Sequence, residues 1–129
     1  MTVELTVLTW SIFLGLAYVF LAAGLATYQR GLKWNASNRD DVPTSLTGAA
    51  ARASRANHNF LETFPFFAAA ALAVVLAKLN TPHTELGAQV YFWARVAYLP
   101  IYVVGIPYLR TFVWAVSLWG LLQIVEALL

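Results

Sequence analysis

The chain has 129 residues, 60% of them hydrophobic and only 11% charged, with a mean hydropathy of +0.67. A soluble domain is nearer a quarter charged, so this composition points to one integral membrane domain, with too little chain for a second. The net charge of +2 comes without a basic tract, which offers nothing for a nucleic acid, and the absence of cysteine excludes disulfides, a protein thiol nucleophile and thiolate metal sites. His58 and His83 lie far apart without a clustered carboxylate, so no metal is expected.

About 20 apolar residues in helical form cross the hydrocarbon core of a bilayer. Residues 5–28 carry no charge and form the clearest span. Their lead-in, MTVE, has no lysine or arginine, and the apolar run is too long for a signal core, so it is read as a permanent helix. The segment QRGLKWNASNRDDVPTSL follows as the one real loop, holding Arg30, Lys33, Arg39, Asp40, Asp41 and Pro43. Thr44 or Ser45 would cap a second helix, with the acidic pair near its positive end. A helix over about 45–79 would be roughly 50 Å long, against a hydrocarbon core of roughly 30 Å, and should project from the bilayer on the loop side. Asn80-Thr81-Pro82-His83 is a short connection to a third helix, about 86–107, interrupted by Arg95. Gly105-Ile106-Pro107-Tyr108 then makes a tight turn, because Pro107 cannot continue a regular helix. The fourth helix covers about 110–128. The expected fold class is therefore all-α and integral to the membrane, a bundle of four transmembrane helices. Arg30, Lys33, Arg39, Arg52, Arg55 and Arg110 gather on the loop side and only Lys78 on the other. The positive-inside rule then places the loop in the cytoplasm and both termini on the non-cytoplasmic side.

Charge inside the spans is the informative feature, since a charged side chain at a span centre costs about 2.5–3.5 kcal/mol on the insertion scale. On the second helix, Arg52, Arg55, Asn59 and Glu62 fall within an arc of about 80°. On the third, Arg95, Tyr98 and Tyr102 fall within about 60°. Arg110 opens the fourth helix. These groups could converge on one cavity near the cytoplasmic side. The plainer reading is an ion pair of Glu62 with Arg55 or Arg95 that fixes helix register. The tyrosines could equally be ordinary interfacial residues, and Arg30 and Lys33 topology determinants. His58 reads as an interfacial residue and the five tryptophans as anchors or lipid-facing bulk. With arginines outnumbering the one glutamate, the cavity suits an anionic ligand that also carries an amine. Glutathione, with two carboxylates, an amine and a thiol, fits this description, and a nearby arginine would favour its thiolate.

Two blocks carry a family resemblance. The first is Arg55-Ala56-x-x-Asn59-x-x-Glu62-x-x-Pro65, and the second is ARVAYLPIYVVGIPYLRT, with Arg95, Tyr98, Tyr102 and Arg110. With the four spans they resemble the MAPEG family, the membrane-associated proteins of eicosanoid and glutathione metabolism, and are similar to its leukotriene-C synthase and microsomal glutathione transferase branch. The resemblance implies a homotrimer with glutathione between neighbouring subunits and a lipophilic substrate entering from the bilayer. Carried over by position, Arg55, Asn59, Glu62, Tyr98 and Tyr102 would bind glutathione. Asn57 would stand where that branch has a glutamine, Arg30 would reach in from the end of the first helix, and Arg110 would stabilise the thiolate. This chain departs from the pattern in three places: Ala51 in place of a glutamate, Thr63 in place of a tyrosine, and an interval from Tyr102 to Arg110 longer by one residue. The implied activity is glutathione transfer to a lipophilic electrophile, possible also as a peroxidase. Two alternatives stand beside it: a non-catalytic scaffold that binds lipid or glutathione, and a small proton-coupled exporter using Glu62. The short loops suit a bacterial inner-membrane protein.

Overall fold

A computed structural model describes residues 1–129 and contains helices without strands. In chain order they are α1 (Val3–Arg30), α2 (Leu32–Ala36), α3 (Gly48–Leu76), α4 (Pro82–Val104) and α5 (Pro107–Glu126). The four long helices run antiparallel to one another in sequence. One end of the bundle carries the α1–α3 segment and the α4–α5 turn, and the other carries both termini and the α3–α4 turn.

Local chemistry sets the boundaries. Thr2 caps α1 by accepting from the Leu5 N–H, and Gly31, at φ 94°, ends it in a conformation that favours glycine. The loop is more ordered than its composition suggests, because α2 occupies Leu32–Ala36. Gln29 also clips the far side of the loop, its amide donating to the Thr47 carbonyl at 2.8 Å and accepting from the Thr47 N–H at 3.1 Å. Thr47 therefore precedes α3, and neither Thr44 nor Ser45 is its cap. The helix begins at Gly48 and ends at Leu76, so it is about 44 Å long rather than the roughly 50 Å expected. It still exceeds the hydrocarbon core.

The third long helix starts earlier than expected. Thr81 and Thr84 form a reciprocal capping box around Pro82, which takes the first helical position where a missing N–H costs nothing. Pro82 and His83, half of the expected connection, thus belong to the helix. At the other end, Gly105 at φ 96° closes α4, and Pro107 opens α5 two residues later. Arg110 consequently lies one turn inside α5 instead of at its first position.

Only 25 of 129 residues are buried, and Trp10, Phe13, Phe20, Leu76, Trp93, Phe112 and Trp119 face outward. Helices apolar on all sides but unburied by protein are the pattern of a bundle solvated by lipid. Helices α1, α3 and α5 are long and apolar enough to cross a membrane. Helix α4 is not in that set: it carries His83, Glu85, Gln89 and Arg95 along its 23 residues.

The interior has two parts. Near the termini, Val7, Leu8, Phe67, Ala70, Ala71, Val74, Ala88, Tyr91, Leu121 and Ile124 pack together. Towards the loop end, Tyr18, Ala56, Phe60 and Tyr98 form a smaller aromatic cluster. Helices α4 and α5 touch through backbone: a Cβ on Gly87 would stand 2.5 Å from the Gly120 carbonyl oxygen, and one on Gly120 would stand 2.6 Å from that of Gly87. Small residues permit this approach where lipid gives no hydrophobic drive between helices.

Candidate functional site

Helical periodicity puts Tyr91, Arg95, Tyr98 and Tyr102 on one face of α4, turned towards α3. The stripe on α3 divides. Its inner edge, Asn59 with Thr63, meets α4, while Arg55, His58 and Glu62 are exposed on the outer edge.

Arg95 is fully buried, as is Tyr98 beside it. Its Nη1 donates to Asn59 Oδ1 at 2.7 Å and its Nη2 to Thr63 Oγ1 at 2.8 Å. The Tyr98 and Tyr91 rings flank the guanidinium at 5.0 and 5.7 Å from their centroids. Thr63 is held in turn by the Tyr91 hydroxyl at 3.0 Å, and the Tyr18 hydroxyl donates to the Arg95 carbonyl at 2.6 Å. A buried cation is thus accommodated by neutral acceptors and ring faces. The ion pair of Glu62 with Arg95 is not formed. The Arg95 Nε and the Tyr98 hydroxyl remain buried without a partner.

Above this anchor, at the loop end, the chain opens into a cleft of about 270 Å³ lined by Arg52, Arg55, Tyr102, Arg110 and the Gly105–Pro107 turn. Tyr102 is its centre. The Arg110 guanidinium lies 4.7 Å from the Tyr102 ring centroid and that of Arg55 5.8 Å, with Arg55 Nε donating to the phenol oxygen at 3.2 Å. Arg52 Nε donates to the Val103 carbonyl at 2.8 Å, and its side chain packs on Gly105, where a Cβ would approach it at 3.4 Å. Tyr102 meets Tyr98 edge-on at 5.5 Å, so a continuous ladder of cations and rings joins Arg110 to Arg95. Three guanidiniums line the cleft and no carboxylate does, an arrangement that binds anions.

The sequence-derived candidates therefore separate into three groups. Arg55, Tyr102 and Arg110 share the cleft, together with Arg52. Arg95, Asn59 and Tyr98 stand behind it as support and do not line it. Glu62, Asn57 and Arg30 are elsewhere in the chain. Glu62 is exposed on the outer face of α3, Asn57 is half-buried with an unpartnered Oδ1, and Arg30 lines a different cavity, its Nε donating to the Thr44 carbonyl at 2.8 Å. Sequence reasoning missed Tyr91, Thr63 as an arginine ligand, and Tyr18. Tyr91 was within reach, four residues before Arg95 on the same stripe. Tyr18 lies 77 residues from its partner and gave no local signal.

A model of the MAPEG family matches residues 7–129 of the chain. No curated protein matches it, and no solved structure does.

Proposed function

Because the chain belongs to the MAPEG family, a family of membrane proteins of glutathione and eicosanoid metabolism, we propose that it is a glutathione transferase acting on lipophilic electrophiles. The observation that carries this reading is the cleft in which Arg52, Arg55 and Arg110 converge around Tyr102 without an acidic neighbour. The two carboxylates of glutathione match such cations, and a guanidinium left over can face the sulfur. The thiol loses its proton to water, the thiolate is stabilised by Arg110, and the sulfur then attacks the electrophilic carbon. A carbon–sulfur bond forms, and the leaving group departs with the electron pair of the bond that breaks. The protein contributes binding, orientation and charge stabilisation and forms no covalent intermediate.

Glu62 supports an assembled site. An ionised carboxylate on the lipid-facing surface of a spanning helix is costly, at about 2.5–3.5 kcal/mol near the centre. In a homotrimer a neighbouring copy would cover that face, Glu62 could meet the ammonium of glutathione, and Asn57 and Arg30 could contribute from the adjacent subunit. In this reading all four long helices span a bacterial inner membrane, with the loop end and its cleft in the cytosol.

The test is Arg110→Ala. It should retain glutathione binding by titration calorimetry and lose the ultraviolet absorbance of bound thiolate together with conjugation of an aryl halide. An unchanged thiolate band removes Arg110 from the role. A scaffold that binds without turnover is the second reading, favoured by one observation: Tyr102 is the only side chain lining the cleft, other than arginine, that can give or take a proton. Glutathione binding with no conjugation of any standard electrophile would select it.

A further inference from the structure

A second cationic cavity lies away from the cleft, where α1 meets the loop. It has a volume of about 140 Å³ and is lined by Ala23, Ala26, Thr27, Arg30, Trp34, Asn35 and Arg39. Trp34 is its platform, with the guanidiniums of Arg30 and Arg39 each 5.3 Å from the indole centroid. The arrangement is built from a chain of bonds. Asn35 Nδ2 donates to Thr27 Oγ1 at 3.0 Å, and Arg39 donates back to the Asn35 carbonyl from Nε and Nη2, both at 3.1 Å, and from Nη2 to Asn35 Oδ1. Arg39 adopts φ 59°, the left-handed region unusual for arginine, which returns its side chain over Trp34. No carboxylate lines the cavity, and Asp40 and Asp41 are exposed. The Trp34 indole N–H is a further buried donor without an acceptor. The indole N–H is thus unanswered, and the two guanidinium charges meet only neutral acceptors, Thr44 for Arg30 and Asn35 for Arg39, with no carboxylate opposite them.

The location narrows the occupant. The charge-free run of α1 ends at Tyr28, so Ala23 and Ala26 lie in its last apolar turns and Arg30 just beyond them. The lower wall is apolar and continuous with the lipid-facing surface of α1, and the upper wall is cationic. We infer that this cavity binds the headgroup of an anionic phospholipid, the phosphate between Arg30 and Arg39 and the first acyl carbons against Ala23 and Ala26. A tryptophan flanked by arginines at the membrane boundary suits this ligand on both counts. Of its residues only Arg30 also enters the assembled glutathione site proposed above, and Arg39 and Trp34, on which the test rests, do not line the cleft.

The experiment is native mass spectrometry of the full chain released from neutral detergent, with dioleoyl phosphatidylglycerol and dioleoyl phosphatidylcholine at equal concentration. The parent chain should retain the anionic lipid in preference. Arg39→Gln should lower that preference about fivefold, the factor for one arginine near an anionic surface, and Arg39→Lys should restore most of it. A second variant, Trp34→Leu, should also lose the preference. Glutathione titration of each variant reports whether the fold and the cleft are intact. A chain that binds no glutathione yet prefers the anionic lipid refutes the proposed function and leaves this inference standing. Equal retention of the two lipids by the parent overturns it, as does an unchanged preference in Arg39→Gln. Inorganic phosphate that abolishes the preference at millimolar concentration would make free phosphate the ligand and overturn the lipid assignment.

Discussion

Thr63→Val removes one hydroxyl from the buried network and changes the shape of the side chain little. The hydroxyl accepts from Arg95 Nη2 at 2.8 Å and lies 3.0 Å from the Tyr91 hydroxyl. Two scales compete for the magnitude. Interhelical hydrogen bonds in membrane proteins average about 0.6 kcal/mol in double-mutant cycles, because the unfolded chain finds other partners there. Bonds to a charged group are worth about 1.5–3 kcal/mol, and the loss is larger when the ion stays buried without its acceptor. Arg95 has no exposed surface and already carries an unpartnered Nε, so the second scale should govern. The assay is a cycle of Thr63→Val, Arg95→Met and the double variant, followed by thermal unfolding in detergent. The expected coupling is about 2 kcal/mol. In the Arg95→Met background Thr63→Val should cost only what its bond to the Tyr91 hydroxyl contributes. Coupling of about 0.6 kcal/mol or less would mean that Arg95 is solvated some other way, and the account of a cation held by neutral ligands would fail.

The glycine contact between α4 and α5 makes a sharper steric case. Gly120→Ala places a Cβ 2.6 Å from a carbonyl oxygen and should destabilise by about 1–3 kcal/mol in thermal unfolding. Gly24→Ala meets nothing within 4 Å and, through helix propensity alone, should stabilise by up to about 1 kcal/mol, so equal effects would refute the contact. Arg55→Lys keeps the charge and loses the planar guanidinium bonded to the Tyr102 hydroxyl. Glutathione affinity should fall on the order of tenfold with the melting temperature unchanged, and an unaltered calorimetric isotherm would take Arg55 out of the site.

The membrane character of the chain and its long helices were legible in the sequence, because hydropathy acts over whole segments. The polar stripes were legible as stripes. What periodicity alone did not decide was how each stripe divides between neighbours. Asn59 and Glu62 are three residues apart on α3, yet one faces Arg95 and the other faces outward. The direction of a stripe depends on the crossing of two helices, a property of packing rather than of spacing. Capping chemistry was read poorly: the reciprocal box of Thr81 and Thr84 was taken for part of a connection, and the cap of α3 was assigned to the wrong residues near Thr44. There the Gln29 clip fixes the start of α3, and a side chain 18 residues away leaves no mark at the cap. Arg110 was expected at the start of the last helix because Pro107 was read as part of a turn, whereas proline is well suited to a first helical position.

The partnership of Arg95 with Asn59 and Thr63 also bears on how the chain is made. Synthesis delivers α3 to the membrane before α4, so both acceptors are in place when the arginine arrives. With its arginine and other polar residues, α4 is the one long helix not apolar enough to enter lipid by composition alone. On the four-span reading it partitions onto α3 rather than into bare hydrocarbon, and the insertion cost of the arginine is offset by a template already present. Tyr18, which has waited in α1 throughout, can donate to the Arg95 carbonyl only after that step. The bonds that support the finished cleft are thus also those through which α3 would receive α4.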